Sequence, residues 1–504
     1  MGQTWFKLQN GSDVRGVALE GVLGEPVTLT TEIVRPIGYA FAQWLAEKKG
    51  VPANQLKIAV GHDSRLSADK IKAAVFQGLE KAGCGMADSG LSSTPAMFMA
   101  TVFENHAYDG SIMLTASHLP FNRNGLKFFT RDGGLEKQDI KKILTIATDT
   151  GMFVSKPVKK VAKINLMDDY AASLVAVIRK GAGQGDKPLA GLKIVVDAGN
   201  GAGGFFVDKV LKPLGANTKG SQFLDPDGNF PSHIPNPEEK AAMDAIISAV
   251  EKNGADLGII FDTDVDRAGA VDKNGKPINR NRFIALMASI VLEEHPGTVI
   301  VTDSVTSTGL KYWIEEKLGG VHHRFKRGYK NVINESIRLN GEGKDSWLAM
   351  ETSGHGALKE NYFLDDGAYQ IAKILIKVAQ LHANGKGSVV DLLAGVPEPA
   401  EAREFRAKIK TDDFGAYGGQ VLDAFTKFVE QEPGWSLTPN NFEGIHVTID
   451  ATHGNGWALL RKSLHDPVLP LNIESEVDGG VAKIAERMRT FLSQFDQLEL
   501  PKSW

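Results

Sequence analysis

Cysteine is nearly absent. Cys84 is the single one in 504 residues, so no disulfide can form within the chain, and such thin thiol usage fits a reducing compartment. A basic excess is missing too. The formal net charge of −4 argues against broad binding of nucleic acid or of an anionic membrane, because both need a basic face. A small anion held by a few local Arg and Lys is still allowed. No run approaches the roughly 18 apolar residues that span a bilayer. The opening "MGQTWFKLQNGSD" lacks a charged-then-apolar signal pattern. Met1-Gly2 is a poor myristoylation match, since Lys7 stands just beyond a motif that wants Ser or Thr at its sixth position. There is no low-complexity segment and no short-period repeat. The expectation is a cytoplasmic protein with neither a nucleic-acid nor a membrane partner, monomer or homodimer.

What is present is ordinary globular material, 42% hydrophobic and 23% charged, in a chain too long for one core. Strand-then-helix units recur. "LKIAV" leads into "GHDSRLSADKIKAAVFQGLEKAG", with Ser67 as expected N-cap and Gly83 as stop. "LKIVVDAGNGAGG" ends a buried-type strand in a glycine loop. "ADLGIIFDTDVDRAGAVDKNG" reads as strand, acidic loop, strand and an Asn274-Gly275 turn. "GTVIVTDSVTSTGLKYWIEEKLG" and "SWLAMETSGHG" repeat the logic. Joints are expected at "SKPVKKVAK" near 155, before a helix at about 167–180, at Asn274 to Pro277, and at "GVPEPAEAREF" near 397. Beyond it, consecutive strands with a Gly-Asn-Gly turn and a helix from about 480 read as α+β. The predicted architecture is α/β: three similar mixed or parallel-sheet domains (1–160, 161–275, 276–394) and a smaller α+β domain (395–504) around a central cleft.

Ligands of α/β sheets collect beyond the carboxyl ends of strands, and four such loops carry chemistry. In "DTDVDR", Asp262, Asp264 and Asp266 alternate, and three hard oxygen ligands suit Mg²⁺ or Ca²⁺. An EF-hand is excluded, because its Gly and Glu positions hold Arg267 and Lys273. In "TASHLP", Ser117 and His118 follow an apolar strand, and an Asn124-Gly125 turn is expected to bring Lys127 back toward them. No GxSxG elbow supports a serine hydrolase. A serine carrying a phosphoryl group needs a metal to neutralise the phosphate and a basic residue for proton transfer; loop capping explains Ser117-His118 equally well. "METSGH" alternates Glu351, Ser353 and His355, a polar comb suited to sugar hydroxyls or to a helix cap. "RKSLHDP" offers Arg461 and Ser463 as a phosphate cradle.

Taken in order with the N-terminal "SDVRG", these motifs resemble the α-D-phosphohexomutases, the phosphoglucomutase and phosphomannomutase type, over nearly the whole chain. The resemblance implies that Ser117 is the phosphoserine and that Asp262, Asp264 and Asp266 hold Mg²⁺ together with its phosphate. It places Arg267 and Arg15 beside the phosphoserine, with Lys127 and His118 assisting proton transfer, Lys127 the better candidate. Glu351 and Ser353 would bind sugar hydroxyls, with His355 close by, and Arg461 and Ser463 the phosphate that is not transferred. Two departures stand out. Leu464 and His465 replace an amide and a hydroxyl in the usual R-x-S-N-T-E-P loop, so part of that contact is lost or remade by His465. Tyr329 follows Gly328 where relatives carry Asp or His, inside a segment that gathers Arg324, Lys326, Arg327 and Lys330, enough charge to grip a phosphate.

Three readings follow. The first is a mutase interconverting hexose 1-phosphate and hexose 6-phosphate, of glucose or mannose, through a hexose 1,6-bisphosphate that serves as intermediate and activator. The second is a hexose 1,6-bisphosphate synthase fed by another sugar bisphosphate, an outcome that a loosened clamp would favour. The third is a non-catalytic sugar-phosphate-binding paralogue, against which Ser117, the three aspartates and Lys127 speak.

Overall fold

The computed structural model describes residues 5–154, 157–158, 160–385, 387–463 and 466–504. The chain divides into two compact units, residues 1–283 with 353–392 and residues 284–352 with 393–504. Among the described residues, no helix is long and apolar enough to cross a membrane.

The first unit opens with β1 (Asp13–Val17), followed by α1 (Thr31–Lys49), β2 (Lys57–His62), α2 (Ala68–Ala82), β3 (Gly85–Leu91), β4 (Gly110–Leu114) and β5 (Arg123–Thr130). These strands lie in an eight-stranded sheet in the spatial order β1-β5-β4-β2-β3. β4, β2 and β3 run parallel, while β5 is antiparallel to both β4 and β1. Alternation explains little here, because β4 is buried along its whole length, as expected for a strand covered on both faces. Ile58, Val60, Ile112, Leu114, Leu126 and Phe128 form the core with the inner faces of α1 and α2. The two helices touch closely: a Cβ on Gly78 would stand 2.2 Å from the Arg35 carbonyl oxygen.

Local expectations met two corrections. The Asn124-Gly125 pair is not a turn but the buried start of β5, and the reversal is made by the preceding residues, 115–122. Tertiary crowding, not turn chemistry, requires this glycine, since a Cβ there would lie 2.4 Å from the Val14 carbonyl oxygen and 2.8 Å from that of Thr115. Ser67 does precede α2 but makes no side-chain cap; its Oγ accepts instead from Asn124 Nδ2 at 2.8 Å. Gly83 ends α2 in the left-handed region, as its position predicts.

A second sheet of the same unit contains β6 (Ile194–Asp197), β7 (Leu257–Phe261) and β8 (Ala268–Asp272), with β6 parallel and β8 antiparallel to β7. Residues 262–267 are the loop of the β7–β8 hairpin, and Gly275 turns back as expected, its N–H donating to the Asp272 carbonyl. The helix expected at 167–180 spans Leu166–Ala182. Of the "SKPVKKVAK" joint, residues 155, 156 and 159 lie outside the described residues. The 353–392 segment adds the antiparallel pair Gly356–Leu358 and Leu364–Asp365 and the helix Gly367–Ala383.

In the second unit, β9 (Val299–Thr302) pairs in parallel with β10 (Val321–Arg324) and β11 (Ser346–Met350). A six-stranded sheet follows, in which β12 (Glu401–Ile409), β13 (Ile445–Ile449), β14 (Gly456–Leu460) and β15 (Val468–Ser475) pair antiparallel. Helices Phe414–Gln431 and Gly480–Leu492 share its core through Phe425 and Phe491. The architecture is therefore three α/β domains and a C-terminal α+β sheet domain.

Candidate active site

Ser117 sits just past β4 with φ of +50°, a left-handed conformation costly for a residue with a Cβ, of order 1–3 kcal/mol. Its N–H is tied to Thr115 Oγ1 at 2.9 Å. Its hydroxyl, on a residue only 3% exposed, donates to Asp262 Oδ2 at 3.0 Å and accepts from Arg267 Nη2 at 3.0 Å. His118 Nδ1 stands 3.4 Å away and also accepts from Arg267 Nη2. The β7–β8 hairpin loop thus meets the loop after β4 at Ser117.

The three aspartates are buried together, with one carboxylate oxygen of each within 4.8 Å of the others. Thr94 donates to Asp264, and Lys127 Nζ pairs with Asp264 Oδ2 at 3.3 Å and with Asp266 Oδ2. Among the described residues, Asp264 Oδ1 and Asp266 Oδ1 are buried without a hydrogen-bond donor. Orphaned anionic oxygens are costly, and a hard divalent cation suits such a donor set. The residues therefore fit a hard divalent metal ion.

The electrostatics divide the groups. Burial, then Asp266 and Asp264, push the Asp262 carboxyl well up. Burial opposes ionisation of Asp266 as well, but Lys127, His355 and Arg267 outweigh it and hold that group below the usual carboxylate range. Burial and then the Arg267 and Arg15 cations push His118 down to about 2, so its imidazole is neutral and serves as an acceptor. His355 goes the other way: burial alone would lower it, yet Asp365 and then Asp266 raise it. Its Nδ1 pairs with Asp365 at 2.5 Å and lies 4.0 Å from Asp266 Oδ1.

Arg15 pairs with Asp13 at 2.9 Å, on a strand whose register sets it opposite Gly125. Arg267 reaches Asn236 Oδ1 at 3.4 Å and Glu238 at 3.9 Å. Ser353 is buried with its Oγ lacking a partner among the described residues. The first unit thus gathers Ser117, His118, Lys127, the aspartates, Arg267 and His355.

In the second unit, Glu351 Oε1 accepts from the Gly328 N–H at 2.6 Å, at the start of the helix Tyr329–Gly341. Arg327 and Arg461 share one carboxylate, Glu404 Oε2, at 3.9 and 4.0 Å. Arg461 Nε is buried without a hydrogen-bond partner among the described residues. Arg324, at the end of β10, is taken up by the segment that follows β9, donating to Thr306 Oγ1 at 3.2 Å and the Ser307 carbonyl at 2.7 Å. Lys326 is exposed, its Nζ 5.8 Å from the Phe325 ring centroid. Lys330 lies in the first turn of the helix Tyr329–Gly341. Ser463 Oγ accepts from the Asp466 N–H at 3.2 Å. Leu464 and His465 lie outside the described residues.

Sequence reasoning missed Thr94, Asp365, Asn236 and the Asp63–Arg65 pair. The last was legible in kind, since "GHDSR" ends β2 as the other motifs end their strands.

Three family models match this chain. They are described as phosphoglucomutase/phosphomannomutase, alpha/beta/alpha domain I over residues 7–152, domain II over 168–275 and domain III over 279–398. A phosphomannomutase/phosphoglucomutase of Pseudomonas putida is 32% identical over 492 residues, covering 97% of each chain. A phosphoglucomutase of Neisseria meningitidis is 29% identical over 484 residues, covering 96% of this chain and 97% of the relative. A crystal structure of a phosphoglucomutase/phosphomannomutase family protein from Burkholderia thailandensis superposes with a TM-score of 0.79 at 27% identity, covering 99% of both chains.

Proposed function

Since the chain belongs to the phosphoglucomutase/phosphomannomutase family, we propose that this phosphohexomutase interconverts hexose 1-phosphate and hexose 6-phosphate, of glucose or mannose, through a phosphoserine at Ser117. The observation that carries the reading is the environment of the Ser117 hydroxyl. It is a buried nucleophile between a carboxylate and a guanidinium, next to an acidic cluster with orphaned oxygens.

Phosphoryl transfer needs chiefly positioning and charge neutralisation. Asp262, Asp264 and Asp266 would hold Mg²⁺, which when bound supplies charge neutralisation for the phosphoryl oxygens. Arg267 donates toward Ser117 Oγ and steadies charge there as the Ser117 O–P bond breaks. The sugar hydroxyl forms the new O–P bond and passes its proton to Lys127, which would act as the neutral amine once a cation took over Asp264 and Asp266; His118, held at about 2, is too weak a base. The hexose 1,6-bisphosphate then returns its other phosphoryl group to Ser117. Arg461 and Ser463, with Lys326, Lys330 and His465, are the residues proposed for the phosphate that is not transferred; Glu351, Ser353 and His355 are those proposed for the sugar hydroxyls. Arg15 is proposed to lie beside the phosphoserine.

The test is direct. The purified enzyme with Mg²⁺ and trace hexose 1,6-bisphosphate should interconvert the two monophosphates, and Ser117→Ala should abolish it. Net accumulation of bisphosphate from a second bisphosphate donor would favour the synthase instead. An active Ser117→Ala enzyme would sink both. The non-catalytic reading gives way to an enzyme, because relatives named as mutases match over nearly the full length.

A further inference from the structure

Arg65 has no part in the chemistry above, yet it is almost wholly buried. It lies just past the end of β2, and its guanidinium turns toward the loop that carries Ser117. Nη1 donates to the carbonyls of Pro120 at 2.7 Å and Arg123 at 2.9 Å. Nη2 donates to those of Ser117 at 2.5 Å and Leu119 at 2.6 Å. Nε faces Asp63 Oδ2 at 3.3 Å, and Asp63 Oδ1 accepts from the Arg65 N–H at 2.9 Å. The guanidinium carbon also lies 5.3 Å from the Phe230 ring centroid.

Carbonyls that an irregular loop turns inward need donors, and here one buried planar group serves four carbonyls within seven residues of chain, that of Ser117 fully buried. A lysine has three donors on a point charge and cannot reproduce the fork. The loop needs such support, because Ser117 is held at a positive φ that a free loop would relax. Relaxation would move the hydroxyl off the line between Asp262 and Arg267.

We propose that Arg65, oriented by Asp63, is the positioning residue that holds the Ser117 loop in its reactive conformation. It acts through the four backbone carbonyls and not by touching substrate. The inference rests on the reading of Ser117 as the phosphoryl carrier.

The experiment uses the full chain. Wild type, Arg65→Lys and Arg65→Ala are compared for kcat, KM, thermal midpoint and the rate at which hexose 1,6-bisphosphate phosphorylates Ser117. Misplacement of a reacting group by about 1 Å costs on the order of 100-fold, so Arg65→Ala should lose about that in kcat and in Ser117 phosphorylation. KM should change by no more than about threefold, because uniform substrate binding is untouched. Guanidinium chloride at tens of millimolar should restore at least about a tenth of the lost rate by filling the vacated site, where equal sodium chloride does not; Arg65→Lys should stay impaired. Retention of kcat within about threefold by either variant, or rescue no better than with sodium chloride, overturns the proposal. If neither variant folds, hydrogen exchange on the wild type decides. The amides of Ser117, Leu119 and Arg123, which the loop's own acceptors hold, should be protected to the level of β4, and exchange as fast as an exposed loop overturns it. Absence of phosphate on wild-type Ser117 after bisphosphate treatment is a different failure, that of the phosphoserine reading itself.

Discussion

Lys127→Met should convert the acidic cluster into a site whose folded stability depends on a divalent cation. Lys127 is almost fully buried and pairs with Asp264 and Asp266, themselves 0% and 1% exposed. Removing one partner of a buried ion pair leaves an uncompensated charge and costs about 3–5 kcal/mol. Unfolding entropy of about 2.1 cal/mol/K per residue, over a unit of about 320 residues, makes that a fall of roughly 4–7 °C in the midpoint. Free Mg²⁺ at 100 times its dissociation constant returns about 2.7 kcal/mol. The variant should bind it more tightly than wild type, since no ammonium shares the carboxylates of Asp264 and Asp266. Melting curves in EDTA and in graded Mg²⁺ read both effects, and a coupled assay for hexose 6-phosphate reads the loss of proton transfer, on the order of 100- to 10,000-fold in kcat. A variant that melts with wild type in EDTA, gains no more from Mg²⁺ and keeps kcat within about threefold refutes the reasoning.

Other outcomes follow from the same structure. Asp264→Asn should weaken Mg²⁺ binding by at least about tenfold in calorimetry, because one orphaned anionic oxygen becomes neutral. Gly125→Ala should destabilise the first unit by about 1–3 kcal/mol or more, since its methyl would meet two carbonyl oxygens inside 3 Å; denaturant titration measures it. Burial raises Asp366, which accepts from Tyr170, Tyr369 and Asn361, to about 6. A carboxyl whose folded value exceeds its unfolded one favours folding most below about 3.8, and that contribution is lost as pH rises through about 6. Between pH 4 and pH 8 the stability of Asp366→Asn should therefore improve relative to wild type by roughly 3 kcal/mol, read from urea midpoints at each pH. Arg461→Ala should raise KM for hexose monophosphates by about 10- to 100-fold while leaving Ser117 able to accept phosphate, for a charge-assisted hydrogen bond is worth about 1.5–3 kcal/mol; initial rates against substrate concentration check this.

The sequence made much of this site legible because its motifs end strands. Apolar runs stop at Leu114 and Phe261, and Ser117 and Asp262 follow within a few residues of each. A rigid sheet can then bring together groups far apart in the chain, as the Ser117–Asp262 bond does across 145 residues. What misled was local chemistry overridden by packing. Asn124-Gly125 reads as a turn, but Gly125 is there because β1 and residue 115 leave no room for a side chain, and Asn124 is there to bond Ser67. The place of Arg65 at a strand end was legible but its task was not: its partners are carbonyls 52 to 58 residues away, and carbonyls carry no sequence signature. The opposite behaviour of His118 and His355 is equally hidden, since burial and then neighbouring cations lower the one, while carboxylates outweigh burial to raise the other.

The most direct measurement is a chase. The enzyme is loaded with phosphate labelled through hexose 1,6-bisphosphate, mapped by peptide mass, then mixed rapidly with unlabelled hexose monophosphate and Mg²⁺. The account predicts label on Ser117 alone, leaving for the sugar at a rate no slower than kcat. Label on another residue, or a phosphoserine that outlasts many turnovers, would contradict it.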